Sequence, residues 1–326
     1  MGGRLVFFYV FSSLQMTSLA QDNLVPNGSF EEYSSCPTGN DLNNGQLERA
    51  IGWWNPTLGT SDYFNACNTN GIVDVPNNIY GNQLAFDGNG FVGIGLISWN
   101  TDSTLIERNE YVQCKLLQPL KPCTEYTISI NVSLAETSSH AMRQLGVVCT
   151  TGSIGEVNDR FINVQPSIVN NTIINDTSSW VKISDTFIAK GGEEFLTIGY
   201  FSDEITNDTL LFNDTGIDTY FSYYYVDSVS LIEGSRKENC EIVFPNVFTP
   251  NNDGVNDIYD LSMLTSFENI NCFIVNRWGN VVYTFSHENP FWGGSDQNGL
   301  DCKEGVYYLV FKGEKYSKTQ FVQLVR

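Results

Sequence analysis

Basic residues are scarce in this chain of 326 residues. Lysine and arginine together number 17 against 37 aspartate and glutamate residues, so the formal net charge at pH 7 is −20. A protein that binds nucleic acid or anionic lipid headgroups needs a basic surface to neutralise phosphates. The charge balance therefore argues against nucleic acid as a partner.

Histidine is scarcer still, and the sequence lacks several common catalytic motifs. Only His140 and His287 occur, with no H-E-x-x-H and no G-x-S-x-G, which disfavours metallopeptidases and classical serine hydrolases. We therefore expect no enzymatic activity. The alternative that stays open is a glycoside hydrolase, which needs only two well-placed carboxylates; the candidates are Glu31, Glu32, Asp62, Asp87 and Glu136.

Long apolar runs are missing as well. Arg4 precedes the apolar run from Leu5 to Leu14, and Ser18-Leu19-Ala20 places small residues where a signal peptidase cleaves. A membrane span needs about 20 apolar residues, more than this run supplies. Residues 1–20 are therefore predicted to be a secretory signal, with a mature chain that starts near Gln21 and spans no membrane.

The rest of the chain has the composition of a folded all-β protein. Segments rich in β-branched and aromatic residues recur between Gly, Asn, Asp and Pro, which is typical of strands in a β-sandwich. The clearest are 126–134, 180–188, 195–201 and 220–232. Only Ala135 to Leu145 has a moderately helical composition, and we expect one or two helical turns there.

A charged, turn-prone segment from Glu233 to Asn239 predicts a domain boundary near residue 239. An effector domain would occupy 21–239, and a second domain 240–326. The second domain has strand candidates at 242–248, 272–276, 281–285, 306–311 and 319–325, with a turn over 276–280. Its length suits a small immunoglobulin-like sandwich.

The second domain carries ordered motifs in Phe244–Asp257 and Asn276–Tyr283, followed by Phe291–Gly294, Gly305–Tyr308 and Val322–Arg326. Together they resemble the gliding motility-associated C-terminal domain, the type B sorting module of type IX secretion. The residues that carry the sorting motif are Pro245, Asn246, Phe248, Thr249, Pro250, Asn251, Asp253, Gly254, Asn256, Asp257, Asn276, Arg277, Trp278 and Gly279. Trp292-Gly293-Gly294 departs from the Trp-Asp-Gly usual in the family. The resemblance implies type IX secretion machinery as a partner and a secreted or cell-surface location.

Two features of the sorting motif have structural explanations. The segment from Asn251 to Asp257 has part of the spacing of a calcium-binding EF-hand loop, but Thr249 at its first position spoils the match, so we favour an Asx-rich turn. The large aromatic side chains of the module are expected to form its core; they are Phe248, Trp278, Tyr283, Trp292 and Tyr307.

The first domain begins with Asn23–Glu32 and ends with Tyr225–Leu231, and these terminal segments resemble galactose-binding-like jelly rolls found among carbohydrate-binding modules. In that family an early Glu and a late Asp often hold a structural calcium. The resemblance implies this role for Glu31 and Asp227. The alternative is that Glu31 caps a turn and that Asp227 faces solvent.

Adhesion or glycan binding is the expected role of the first domain, and a structural surface protein without a glycan ligand is an alternative. Aromatic residues are concentrated beside Asn and Asp in loop-like sequence, where rings could stack on sugars and amides could bind hydroxyls. The candidates are Trp53, Trp54, Tyr63, Phe64, Tyr80 and Trp99. Burial in the core is the competing explanation for each ring.

The eight cysteines contain no C-x-x-C pair, so in an exported protein disulfides are expected rather than a zinc ribbon. Cys36 and Cys67 flank the Trp53-Trp54 segment and are predicted to form a disulfide. Cys114 could pair with Cys123 across Pro119 and Pro122, or Cys149 could pair with either of them. The connectivity of Cys240, Cys272 and Cys302 stays open.

Overall fold

The computed structural model describes residues 22–39, 46–100, 109–155, 162–202, 208–213, 219–237, 240–266, 271–313 and 317–326. The predicted signal at 1–20 lies outside these residues. Almost all regular structure in them is β, with short 3₁₀ helices at Leu47–Arg49 and Ser262–Ser266. Within the same ranges no helix has the length and apolarity needed to cross a membrane.

The first domain is a sandwich of two five-stranded antiparallel sheets. Its strands are β1 (Trp53–Trp54), β2 (Asp62–Asn65), β3 (Asn77–Asn78), β4 (Gly81–Asn82), β5 (Gly90–Asn100), β6 (Val112–Lys115), β7 (Thr124–Leu134), β8 (His140–Met142), β9 (Leu145–Thr150), β10 (Ile168–Val169), β11 (Val181–Ile188), β12 (Phe195–Tyr200), β13 (Thr209–Leu211) and β14 (Thr219–Arg236).

The order of these strands is that of a jelly roll. The front sheet has the order β11-β7-β14-β5-β2, and the back sheet has the order β1-β6-β12-β9-β10. The four-strand sets β5-β14-β7-β11 and β6-β12-β9-β10 interleave along the chain in the manner of two Greek keys. The predicted jelly-roll sandwich is confirmed.

Alternating side chains along the strands separate two apolar clusters. On β7 the inward residues Ile128, Ile130 and Val132 are fully buried between the sheets, in one cluster with apolar side chains of the back sheet. The outer face of the front sheet carries a second, aromatic cluster: Phe64, Phe91, Tyr223 and Tyr225 with Val73 and Ala135. The chain between β2 and β5 covers part of that face.

The helical turns expected from Ala135 to Leu145 are absent; the segment forms β8 and the start of β9 instead. Ser138 and Ser139 are buried and exchange hydrogen bonds with the backbone of Tyr223 and Phe221. Strand β8 pairs with β13. These tertiary bonds outweigh a weak local helix propensity.

The second domain is a smaller β-sandwich with its own core. Its strands are β15 (Val247–Phe248), β16 (Tyr259–Asp260), β17 (Asn271–Val275), β18 (Val281–Thr284), β19 (Phe291–Trp292), β20 (Gly305–Lys312) and β21 (Ser317–Leu324). A five-stranded sheet has the order β15-β21-β20-β17-β18, and β16 pairs with β19 in a second, short sheet. Only the last two residues of the strand expected at 242–248 are extended into the sheet.

The aromatic core of this domain matches the sequence prediction with one exception. Phe248 and Trp292 are buried, with ring centroids 5.0 Å apart, Tyr307 is buried beside them, and Tyr283 is half-buried against the cluster. The prediction that Trp278 lies in the core is wrong, since 74% of this residue is exposed. It lies in a turn that projects beyond the sheet.

Candidate functional site

Two carboxylates hold the loop at residues 86–90. One lies near the beginning of the first domain's sequence and the other near its end. Glu31 accepts hydrogen bonds at Oε1 from the backbone N–H groups of Asn89 and Gly90, both at 2.7 Å. Asp227 accepts at Oδ2 from the N–H groups of Phe86, at 2.7 Å, and Asp87, at 3.1 Å. The early Glu and the late Asp singled out by the sequence therefore act on the same loop.

The backbone of this loop is adapted to the Glu31 carboxylate. Gly88 has a φ of +70°, and a Cβ built there would lie 2.2 Å from the Glu31 carboxyl carbon. Only glycine fits a position with both a positive φ and so close an approach.

Asp227 is fully buried on strand β14. Burial raises the pKa of its carboxyl to about 7, against hydrogen bonds from the backbone that lower it, and the nearby Asp87 raises it further. The alternative in which Asp227 faces solvent is therefore wrong.

The same carboxylates are oxygen ligands of the kind that calcium prefers. The described residues contain no cluster of three or more His, Cys, Asp or Glu side chains that could hold a metal ion. The oxygens of Glu31 and Asp227 accept backbone N–H groups instead. A cation would need further oxygens from the backbone, and the calcium site stays a prediction.

A partly exposed apolar surface includes the first residue of this loop, Phe86, together with Leu84 and the half-buried Trp180. The side chain of Trp180 donates its indole N–H to the carbonyl oxygen of Leu84 at 2.9 Å. The ring of Phe86 meets Trp180 edge-on with centroids 6.3 Å apart, and Trp180 in turn packs on the buried Phe91. Leu84 and Phe86 are 69% and 51% exposed. We call Leu84, Phe86 and Trp180 the aromatic platform.

The aromatic residues that the sequence predicted for glycan binding do not assemble into one surface. Trp53 is buried against Phe30 and donates its indole N–H to the carbonyl oxygen of Asn27. Tyr63 is fully buried between the sheets and donates its hydroxyl to the carbonyl oxygen of Phe30 at 2.8 Å. Phe64 is also fully buried, in the aromatic cluster on the outer face of the front sheet. For these three residues the prediction is wrong, because none of their rings has a free face.

The remaining three candidates lie in different places. Trp54 is half-buried at the edge of the back sheet and meets Phe195 edge-on. Tyr80 stacks on Tyr223 at 3.9 Å on the outer face of the front sheet. Trp99 pairs with Tyr220 in the backbone of β5 and β14, and its side chain lies outside the described residues.

The carboxylates proposed for a hydrolase are likewise dispersed. Asp62 is buried beneath Tyr223, which donates its hydroxyl to Oδ2 at 2.6 Å, and burial together with the nearby Glu110 raises its pKa well above the usual range. Glu110 itself accepts hydrogen bonds from Thr60 and from the N–H of Gly95. Glu32, Asp87 and Glu136 are exposed, and Glu31 clamps the 86–90 loop.

The surroundings of His140 are unlike those of a catalytic general base. It is buried, its Nδ1 lies 2.9 Å from the hydroxyl of Ser139, and burial lowers its pKa. A neutral, hydrogen-bonded histidine within a β-strand is a structural residue.

A cavity of about 690 Å³ opens between strand β9 and the end of strand β11. Its walls include the half-buried Cys149 and the exposed Gln165 and Lys190. Both carboxylate oxygens of Glu193 in this wall accept backbone N–H groups, from Lys190 and Gly191. The cavity therefore offers a mixed lining without an exposed aromatic ring.

The disulfides differ in part from the alternatives left open by the sequence. Cys36 and Cys67 form the expected disulfide, while Cys123 is bonded to Cys240. The pairing of Cys114 with Cys123 is wrong. Cys114 and Cys149 are free and lie opposite Leu196 on its two neighbouring strands, too far apart for a bond. Cys272 and Cys302 are free and buried.

In the sorting motif, the loop from Thr249 to Asp257 is an Asx-rich turn. Asp257 accepts hydrogen bonds from the N–H groups of Asn251, Asn252 and Gly254, and the bond from Gly254 is the main cause of its lowered pKa. Asn251 and Asp253 accept further N–H groups within the loop. These acidic and amide groups therefore shape the backbone, as the Asx-turn interpretation expects.

Trp180 and Phe86 are the residues that sequence reasoning missed. Trp180 was assigned to the end of a strand, where a buried ring is expected, and Phe86 stands alone between Ala85 and Asp87. One local signal was present: Asp176 caps the turn before Trp180 by accepting the N–H groups of Ser178 and Ser179. A ring that directly follows such a turn lies at the margin of a sheet, where exposure is common.

The comparisons with known proteins bear on the two domains separately. Residues 242–324 match the family model of the CHU_C type IX secretion signal domain. This domain marks the chain for export to the cell surface or for secretion, and it implies interaction with the type IX secretion machinery. No curated protein matches the sequence.

Solved structures are similar to part of this chain. The xylan-binding CBM22-1 domain of Xyn10C from Paenibacillus barcinonensis is 14% identical, with 66% of this chain and 96% of that chain covered and a TM-score of 0.32. The K2 cleaved adhesin domain of Lys-gingipain is 12% identical, with 66% and 99% covered and a TM-score of 0.31. The K1 cleaved adhesin domain of Lys-gingipain from Porphyromonas gingivalis W83 is 12% identical, with 57% and 92% covered and a TM-score of 0.27.

Proposed function

We propose that the first domain is a binding module, displayed outside the cell by the type IX secretion signal, whose aromatic platform binds glycans in adhesion. The observation that carries this proposal is the contact between the exposed ring of Phe86 and the half-buried ring of Trp180, which packs in turn on the buried Phe91 of the front sheet. Aromatic faces pack on the apolar faces of sugar rings, and exposed apolar surface that the fold does not bury commonly marks a binding site.

The platform is well suited to binding because its backbone is already ordered. Asp227 fixes the N–H of Phe86, Glu31 fixes the end of the same loop, and the indole N–H of Trp180 ties strand β11 to Leu84. A ligand that lands on such a surface loses little free energy to ordering the protein. Exposed Asp87 and Asn89 lie in the same loop and could hydrogen-bond to sugar hydroxyls.

Binding without catalysis is part of the proposal. Asp62 and Glu110 are buried near the front sheet, and their carboxylates are engaged by Tyr223, Thr60 and Gly95. Those of Glu31 and Asp227 are engaged by the 86–90 loop. An acid and a base flanking a glycosidic bond need oxygens free to reach substrate.

The test is a glycan array probed with the full mature chain in oxidised form, with product analysis of every glycan bound. A fragment ending at residue 239 is unsuitable because it would lose the Cys123–Cys240 disulfide. For a bound glycan, Trp180→Ala and Phe86→Ala should each weaken affinity about 5- to 10-fold, which corresponds to roughly 1 kcal/mol for the loss of one stacked ring.

Two matched variants serve as controls. Phe212→Ala removes another exposed aromatic ring, and Gln165→Ala alters the mouth of the cavity; both should bind as the wild type does. Loss of binding in Gln165→Ala alone would move the site to the cavity. Wild-type binding by both platform variants, or no binding to any glycan by the parent, would reject the proposal, and sugar cleavage would favour the hydrolase.

A further inference from the structure

The turn at 276–280 in the secretion signal domain is rigidly built. Asn276 accepts hydrogen bonds at Oδ1 from the N–H groups of Trp278 and Asn280, both at 3.0 Å. The backbone N–H of Asn276 donates to the carbonyl oxygen of Asn280, and the N–H of Gly279 donates to the carbonyl oxygen of Asn276. Gly279 has a φ of +83°, which glycine adopts without strain. Asn276 and Gly279 are therefore explained by the fold.

The fold does not explain the two residues between them. Trp278 is exposed, and the guanidinium of Arg277 lies over its ring, with Cζ 5.0 Å from the ring centroid. An exposed Trp carries an unfavourable apolar surface that a merely structural turn would not need. Trp and Arg are also the side chains most enriched among residues that dominate protein interfaces.

An apolar row of side chains begins at the base of this turn. In the sheet register Val281 pairs with Val275, Val275 pairs with Tyr308, and Tyr308 pairs with Phe321. Side chains at paired positions lie on the same face, so the row crosses four strands on the side opposite the core. Val281, Tyr308 and Phe321 are all exposed.

The charge on this sheet differs from that of the chain as a whole. The sequence has 37 acidic residues, yet strands β15, β17, β18, β20 and β21 contain none. Lys312 and Lys318 are their only charged residues, and Lys318 is already paired with Glu241. Lys312 on this sheet and Arg277 in the adjacent turn carry positive charge, which is complementary to an acidic partner surface.

We propose that the 276–280 turn and the apolar row Val275, Val281, Tyr308 and Phe321 form the surface through which the type IX secretion machinery binds the folded signal domain. The partner is a protein surface with an apolar pocket for Trp278 and carboxylates at its rim for Arg277 and Lys312. A folded signal must be read through groups that its own core does not use, and Trp278 is such a group. The proposal concerns export and does not depend on glycan binding.

The experiment measures export of the full chain in a bacterium that has type IX secretion, as the fraction of protein found at the cell surface and in the medium. Trp278→Ala should lower this fraction about tenfold, because loss of a central interface Trp typically weakens affinity by a factor of 10 or more. Phe321→Ser should lower it by a smaller factor. Arg277→Glu should also lower it, whereas Arg277→Lys should retain most of the export.

Val243→Ala is the matched control, since Val243 is 75% exposed in the same domain but lies outside the turn and the row. Folding of each variant is checked by its melting temperature after purification, and Arg277→Glu decides the question if Trp278→Ala is unstable. Wild-type export of a folded Trp278→Ala or Arg277→Glu variant overturns the proposal. So does an equal loss in Val243→Ala, or a wild-type dimer that Trp278→Ala separates without a change in export.

Discussion

The buried carboxyl of Asp227 should make the stability of the first domain depend on pH. Its pKa is about 7 in the folded chain and 3.8 when exposed. Between these values the unfolded state has released a proton that the folded state retains, so stability falls as the pH rises. Each pKa unit corresponds to 1.36 kcal/mol, which gives a loss of about 2 kcal/mol between pH 5 and pH 7, and of about 4 kcal/mol in all.

The measurement is the free energy of unfolding of the mature chain in guanidinium chloride, from pH 5 to pH 8 and in the presence of a chelator. Asp62 also has a raised pKa and contributes a slope of the same sign. The difference between the wild type and Asp227→Asn therefore isolates Asp227. Asn keeps an acceptor for the N–H of Phe86 but cannot ionise. Between pH 5 and pH 7 this variant should therefore lose about 2 kcal/mol less stability than the wild type.

Two further arms test the physical cause. Asp87→Asn removes a negative charge that raises the pKa of Asp227, so the fall in stability should move to lower pH. Added calcium, if it binds Glu31 and Asp227, should hold Asp227 ionised and flatten the fall. Equal pH dependence in the wild type and Asp227→Asn without calcium would show that burial does not perturb this carboxyl.

Two other predictions concern stability alone. The double variant Cys123→Ser with Cys240→Ser should lose about 3 to 5 kcal/mol of unfolding free energy in oxidised protein, because the disulfide closes a separation of 117 residues. Under reducing conditions the same double variant should lose almost nothing. Equal melting temperatures of the oxidised double variant and the parent would contradict this. Gly93→Ala places a Cβ 2.2 Å from the Tyr223 hydroxyl and should lower the unfolding free energy by about 3 kcal/mol through overpacking. Gly152→Ala, with open space around it, should change the unfolding free energy by less than about 0.5 kcal/mol. Similar unfolding curves for the two alanine variants would refute the packing argument.

The sequence predicted the architecture well because alternation of apolar residues is a local signal. Strand β7 was expected at 126–134 and is found at Thr124–Leu134, and both the interleaved sheets and the Asx-rich turn of the sorting motif were anticipated. Local composition predicted the wrong structure where tertiary hydrogen bonds are stronger than local propensity. At Ser138 and Ser139, hydrogen bonds to the backbone of β14 hold the segment extended instead of in helical turns.

The candidate site was predicted less well because exposure is not a local property. Trp53 and Trp278 both stand among turn-forming residues, yet one is buried beneath Phe30 and the other projects into solvent. The role of Glu31 and Asp227 depends on a loop some 60 residues from one and 140 from the other. No spacing in the sequence reveals that both carboxylates meet there. The family resemblance named the pair as calcium ligands, and that role stays a prediction.

The bond between Cys123 and Cys240 determines how a pulling force would pass through the molecule. Strand β14 ends at Arg236, paired with Thr124 at the start of β7, and the disulfide lies just beyond this pair. If the signal domain is held at a surface and a ligand pulls on the platform, tension arriving at Cys240 divides between β14 and β7 at once. Peeling β14 away from its neighbour, the weak direction for any β-strand, is thereby blocked. The two central strands of the front sheet would therefore bear the load side by side.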